Sequence, residues 1–156
     1  MKKKITKIYL TGLYTGNLKF MPGTFGTLLA IPIFILISNN NLIFNLIFIS
    51  ILFIVLLIIL NFAYDNHIYT NADDKSIVID EIVGYLFFMI FFEYTFYNVV
   101  LGFLLFRFFD IFKPYPINKF EDLPKAYGVL GDDIVAGVFT LIFVLIIESF
   151  IELPVI

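Results

Sequence analysis

From Phe20 to Tyr64 the chain carries no charged side chain. A stretch of that length cannot stay dissolved in water, so the chain is expected to be an integral membrane protein. Composition agrees: 61% of the 156 residues are hydrophobic, phenylalanine alone contributes 21, and mean hydropathy is +1.00. These values lie well above those of soluble globular chains. The length fits one domain, residues 1–156. There is no cysteine, which excludes disulfides, thiolate metal ligands and a cysteine nucleophile.

The clearest span is 42–64, enough to cross a hydrocarbon core of ~30 Å. Before it, 26–38 is apolar but short and contains Pro32, and Asn39-Asn40-Asn41 makes a polar tip between the two. This pattern predicts a helical hairpin. Apolar runs at 82–92 and 99–109 flank a second tip with Glu93 and Asn98, and a last run covers 134–151, with Glu148 near its far end. Three polar segments remain: the start through Met21, then 65–81, then 110–133. Lys2, Lys3, Lys4 and Lys7 crowd the first, and Lys113, Lys119 and Lys125 lie in the third. The positive-inside rule places both in the cytoplasm, and hairpin connectivity brings the second to the same side. The expected fold is therefore all-α, a polytopic membrane bundle of about five helical passes with its polar segments gathered on the cytoplasmic face. Several passes are short for an upright crossing, which favours locally thinned bilayer. The basic start resembles a signal peptide, but Thr11, Gly12, Thr15, Gly16, Asn17 and Lys19 interrupt any apolar region after it. The N-terminus is expected to be retained.

Against these apolar runs stand two acidic pairs, Asp80-Glu81 and Asp132-Asp133. Carboxylates at the edge of hydrocarbon are costly unless paired, hydrated or bound to a cation. Each pair is expected to begin a helix, where acids also serve as ordinary caps. On one face of a small bundle, however, four carboxylates repel one another unless a divalent cation sits among them, and Mg²⁺ prefers oxygen ligands. Gly84 follows Asp80 by four residues and Gly137 follows Asp133 by four. Small residues there would let two helices approach and bring the pairs together. The opposite charge comes from Arg107 and Lys113, spaced by three with Asp110 between them and predicted to share a helix face until Pro114. One reading makes Arg107 a membrane-edge anchor paired with Asp110. The other makes it a bidentate phosphate clamp with Lys113 as a point charge on the same anion. The Gly-rich turn at 21–27 offers backbone N–H groups and the hydroxyls of Thr24 and Thr27 to a phosphate oxygen. His67 is the only histidine, which excludes a two-histidine phosphatase mechanism, and as a lone loop residue it is expected to be solvated.

Four stretches together resemble the phosphatidylglycerophosphatase A family of bacterial lipid phosphatases. They are P-G-T-x-G at Pro22 to Gly26, I-V-x-D-E-x-x-G at Ile77 to Gly84, F-R-x-x-D-x-x-K-P-x-P at Phe106 to Pro116, and D-D-I-V-A-G at Asp132 to Gly137. The resemblance implies Mg²⁺-dependent hydrolysis of phosphatidylglycerophosphate in the bacterial inner membrane, with the site facing the cytoplasm. It makes Asp80, Glu81, Asp132 and Asp133 the expected metal-binding acids and Arg107, Lys113 and Thr24 the substrate contacts. Asp110 becomes an orienting or catalytic group, and Asp133 a second candidate for catalysis. Residues 116–131 match no family motif. Two other readings compete. A divalent-cation transporter would want acids deep within helices, but Glu93, Glu148 and Glu152 are expected near the opposite surface. A non-catalytic membrane scaffold leaves the meeting of Arg107, Lys113 and the acids unexplained.

Overall fold

In the computed structural model, residues 2–70 and 74–152 are described. Residues 71–73 of the second polar segment, residues 153–156, and the side chains of Lys2 and Glu152 lie outside the described set. Among the described residues the chain is all helix, with no strand. Its elements are α1 (Lys2–Leu10), a 3₁₀ turn (Thr15–Asn17), α2 (Pro22–Ile37), α3 (Leu42–Asp65), α4 (Ile79–Met89), α5 (Phe96–Phe112), α6 (Ile117–Glu121) and α7 (Ala126–Glu152).

Local chemistry sets the ends of these helices. Asn41 caps α3, its Oδ1 accepting the Phe44 N–H at 2.8 Å, and Thr95 caps α5, its Oγ1 accepting the Asn98 N–H at 3.0 Å. Pro22 opens α2, where its missing N–H has no intrahelical role. Lys113 closes α5 in the left-handed region (φ 42°), and Pro114 prevents continuation.

α4 is the hub, packing against α7, α2, α3 and α5. Nine of its residues, Ile79 and Asp80 among them, are buried. A helix apolar on every side needs neighbours on every side. Tyr85 fills the centre edge-on to Phe88 and Phe106, and its hydroxyl donates to the Val99 carbonyl at 3.2 Å. The α4–α7 seam is tight at two glycines. A Cβ on Gly84 would stand 3.0 Å from the Asp133 Cβ and backbone oxygen, and one on Gly137 would stand 2.9 Å from the Gly84 carbonyl. Neither position has room for a side chain, as the spacing of glycine and acid predicts.

Two helices, α3 and α7, are long and apolar enough to cross a membrane. Along α3, Ile43, Ile47, Ile51, Ile54 and Ile58 are all exposed, a stripe at three- and four-residue spacing that no protein surface covers. The five expected helices of the bundle are present, and among the described residues two of them have the length and apolarity of an upright crossing. α2, α4 and α5 have 16, 11 and 17 residues, short of the ~20 a crossing needs. A second difference concerns the final helix. It starts at Ala126, not beside the acids, so Asp132 and Asp133 lie well inside it. The extra turns are held by α6, whose Ile117 is buried in the same core cluster as Ala126 and Leu130. Tertiary burial thus extends the helix through Gly128 and Gly131, where propensity alone favours a loop.

Candidate active site

Four helix segments meet around one hollow of about 400 Å³: the first turns of α2 and α4, the end of α5, and the second turn of α7. It is lined by Thr24, Asp80, Glu81, Arg107, Asp110, Lys113, Asp132 and Asp133, with Lys75 and Glu121 at its sides. Gly23 makes the approach of α2 possible. A Cβ there would collide with Glu81 Oε1 and stand 3.2 Å from Arg107 Nη2.

Asp80, Glu81 and Asp133 can each offer a carboxylate oxygen such that the three oxygens lie within 4.8 Å of one another. Asp80 is 8% exposed and Asp133 3%. Asp80 Oδ1, Glu81 Oε2 and Asp133 Oδ1 are buried with no hydrogen-bond partner. Three such groups are costly to hold together without positive charge between them. The all-oxygen donor set fits a hard divalent cation. Asp132 is not part of this trio. One of its oxygens accepts Lys113 Nζ at 2.7 Å and the other accepts the Asp133 N–H at 3.0 Å. The expected four-acid set therefore divides three and one.

Arg107 forms an ion pair with Asp110 one turn away, stands 3.9 Å from Glu81 Oε1, and donates to Thr27 Oγ1 at 3.3 Å. Its Nε is buried and unpartnered. The Thr27 hydroxyl is already committed, donating to the Gly23 carbonyl at 3.0 Å, so of the two threonines only Thr24 presents an unpartnered hydroxyl and lines the hollow. Lys113 does not continue the face of Arg107 and Asp110, because α5 ends at Phe112. The left-handed turn swings it to Asp132, and to Glu121 at 3.0 Å. Burial pulls its ammonium pKa down, but the hydrogen bonds and charges of Asp132 and Glu121 outweigh this and hold it above the ordinary lysine value. His67 is exposed and apart from the site.

The sequence reading missed Lys75 and Glu121. Lys75 belongs to a polar segment with no helical period. Glu121 lies in the one stretch without a motif, and only the packing of α6 on α7 delivers it to Lys113.

The sequence profile of the family described as phosphatidylglycerophosphatase A matches residues 8–148. The chain belongs to the phosphatidylglycerophosphatase A family. The family's enzymes are phosphoric monoester hydrolases, so the hollow belongs to a phosphatase. Over 144 residues the chain is 32% identical to a Bacteroides thetaiotaomicron protein, covering 86% of this chain and 87% of that one, whose provisional name is phosphatidylinositol-3-phosphatase. The phosphatidylglycerophosphatase A of Escherichia coli is 32% identical over 132 residues, 83% of this chain and 75% of the relative. That of Haemophilus influenzae is 38% identical over 78 residues, 49% of this chain and 48% of the relative. No solved structure matches significantly. With two helices able to cross a bilayer, this member of the family is a membrane protein.

Proposed function

We propose that the chain hydrolyses phosphatidylglycerophosphate to phosphatidylglycerol and inorganic phosphate, using Mg²⁺, at the cytoplasmic face of the bacterial inner membrane. The observation that carries this reading is the set of three close acids with unpartnered oxygens facing the same hollow as Arg107. A phosphate monoester is a dianion, and its site needs positive charge on both sides of phosphorus.

Asp80, Glu81 and Asp133 would hold the divalent cation, which when bound neutralises phosphate charge and polarises a phosphoryl oxygen. Arg107 binds the remaining phosphate oxygens, and Asp110 fixes the guanidinium that does so. Thr24 donates its hydroxyl to the same group. Lys113 adds a second positive charge, steadied by Asp132 and Glu121. Water attacks phosphorus; the new O–P bond forms as the P–O bond to the glycerol carbon chain breaks. Asp110 or Asp133 takes the proton from water and passes it to the leaving alkoxide, which departs as the alcohol. An aspartyl-phosphate route with Asp110 or Asp133 as nucleophile gives the same products. Rapid-quench trapping separates the two, since a phosphorylated enzyme rejects direct attack by water.

The transporter reading is disfavoured by placement. Glu93 and Glu148 line a separate hollow with no lysine or arginine among its described lining residues, while the acids beside Arg107 share one hollow. The name of the Bacteroides relative raises a second head group. Phosphate release from phosphatidylglycerophosphate and from phosphatidylinositol 3-phosphate, in mixed micelles with Mg²⁺ or chelator, decides between them. Absence of release from the glycerol lipid in Mg²⁺ overturns the proposal.

A further inference from the structure

The N-terminal helix carries two faces that the phosphatase site does not use. Lys7 lies one turn beyond Lys3 and Lys4 on α1, and the three line, with Tyr14 and His67, a shallow hollow of about 400 Å³. Among the described residues none of these lysines makes an ion pair. The described acids flanking His67 in the chain are already engaged. Asp65 accepts Lys125 at 2.7 Å, and Asp74 accepts the Ser76 N–H and hydroxyl at 3.0 and 2.7 Å. Lys7 also stands 5.9 Å from the centre of the Tyr69 ring. Tyr14 (φ 74°) and His67 (φ 51°) are both left-handed, a backbone state that is costly for residues with a Cβ.

The second face of α1 is apolar. Ile5, Thr6 and Tyr9 border a largely apolar seam of about 270 Å³ with Ile58, Ile59 and Phe62 of α3, a helix long enough to span the bilayer. One short helix thus presents unpaired positive charge beside the end of α3 and a hydrocarbon-lined groove along it. These are the chemical halves of an anionic phospholipid.

We propose that α1 and the C-terminal part of α3 form a second lipid site, for an anionic phospholipid that is bound and not hydrolysed. Its phosphodiester head group lies among Lys3, Lys4 and Lys7, and an acyl chain follows the Ile5–Phe62 seam. The hollow shares no lining residue with the catalytic one. It is nonetheless mechanically close to it. The Leu10 carbonyl at the end of α1 accepts the Val78 N–H at 3.0 Å, and Val78 immediately precedes the helix that bears Asp80 and Glu81. A lipid that steadies α1 therefore steadies the acids.

The test uses the full chain in neutral detergent, with phosphatidylserine as probe and phosphatidylcholine as control, and lipid retention read by native mass spectrometry. Wild type is expected to retain phosphatidylserine selectively. The triple variant Lys3→Gln/Lys4→Gln/Lys7→Gln should bind it roughly tenfold or more weakly, since each lysine at an anionic surface contributes severalfold. The triple arginine variant should bind normally, and in detergent without added lipid both should hydrolyse a short-chain soluble phosphomonoester at the wild-type rate. Ile58→Ser should weaken phosphatidylserine retention without changing the response to inorganic phosphate. Equal retention by the glutamine variant overturns the site. So does displacement of phosphatidylserine by millimolar phosphate combined with indifference to Ile58→Ser, which would make the hollow an ion site.

Discussion

The two ends of the α4–α7 pair both carry acids, yet they are built differently. At one end Asp80, Glu81 and Asp133 are packed together beside Arg107 and Lys113, and several of their oxygens have no partner. At the other, Glu93 is exposed and Glu148 half-buried around a hollow with no cation, where Asn98 Nδ2 donates to the Glu93 backbone carbonyl at 3.1 Å. Water can hydrate the second pair, so those carboxylates need no further partner. The first set is largely withheld from water, and burial beside like charge penalises its ionised form unless positive charge is supplied. Acids at a membrane edge therefore do not by themselves single out a candidate site; burial without partners, opposite fixed cations, is what distinguishes the first set.

The largest expected effect tests that contrast directly. Asp133→Asn or Asp80→Asn should lower phosphate release by at least about a hundredfold, the scale of a lost catalytic carboxylate. Glu148→Gln should leave the rate within about twofold, as expected of a surface change away from such features. Comparable losses at both ends, measured with the same micellar substrate, would erase the distinction. Arg107→Lys comes next. A lysine keeps the charge but loses the fork, so kcat should fall on the order of 10²-fold if the guanidinium meets the transition state. A rise in KM alone would demote Arg107 to ground-state binding.

Gly137→Ala probes what holds the first end together. Its Cβ would meet the Gly84 carbonyl at 2.9 Å, so α4 and α7 must part, costing about 1–3 kcal/mol in thermal stability. Activity should fall further than stability, because the seam positions Asp133 against Asp80. Within the first end the smallest effect belongs to Glu121→Gln, which leaves Lys113 with Asp132 alone. KM should change by only a few fold, consistent with a half-exposed ion pair.

Much of this was legible before the fold. The polar tip at 39–41, the stop at Pro114 and the span beginning at Leu42 follow from local rules, and the structure places them where the chain predicts. Asp80 and Glu81 do lie in the first turn of a helix. The illegible parts all depend on contacts distant in sequence. Asp132 and Asp133 were expected to start a helix, but α6 stabilises further turns before them. Lys113 was expected beside Arg107, but its left-handed turn sends it to residues far along the chain. About five passes, several of them short, were expected from apolar runs; two helices have the length and apolarity of a crossing, and the hydropathy of buried α4 does not distinguish protein neighbours from lipid.

The sequence by itself determined that this chain leaves water, which charges it carries, and that glycines stand one turn from two of its acids. Those properties reside in single residues and their neighbours. Only the tertiary structure decided which acids share a centre. Adjacent helical residues point about 100° apart, and the contact of Gly84 with Asp133 and of Gly137 with the Gly84 carbonyl sets which of Asp132 and Asp133 faces α4. Asp133 takes that place and joins Asp80 and Glu81, and Asp132 turns to Lys113.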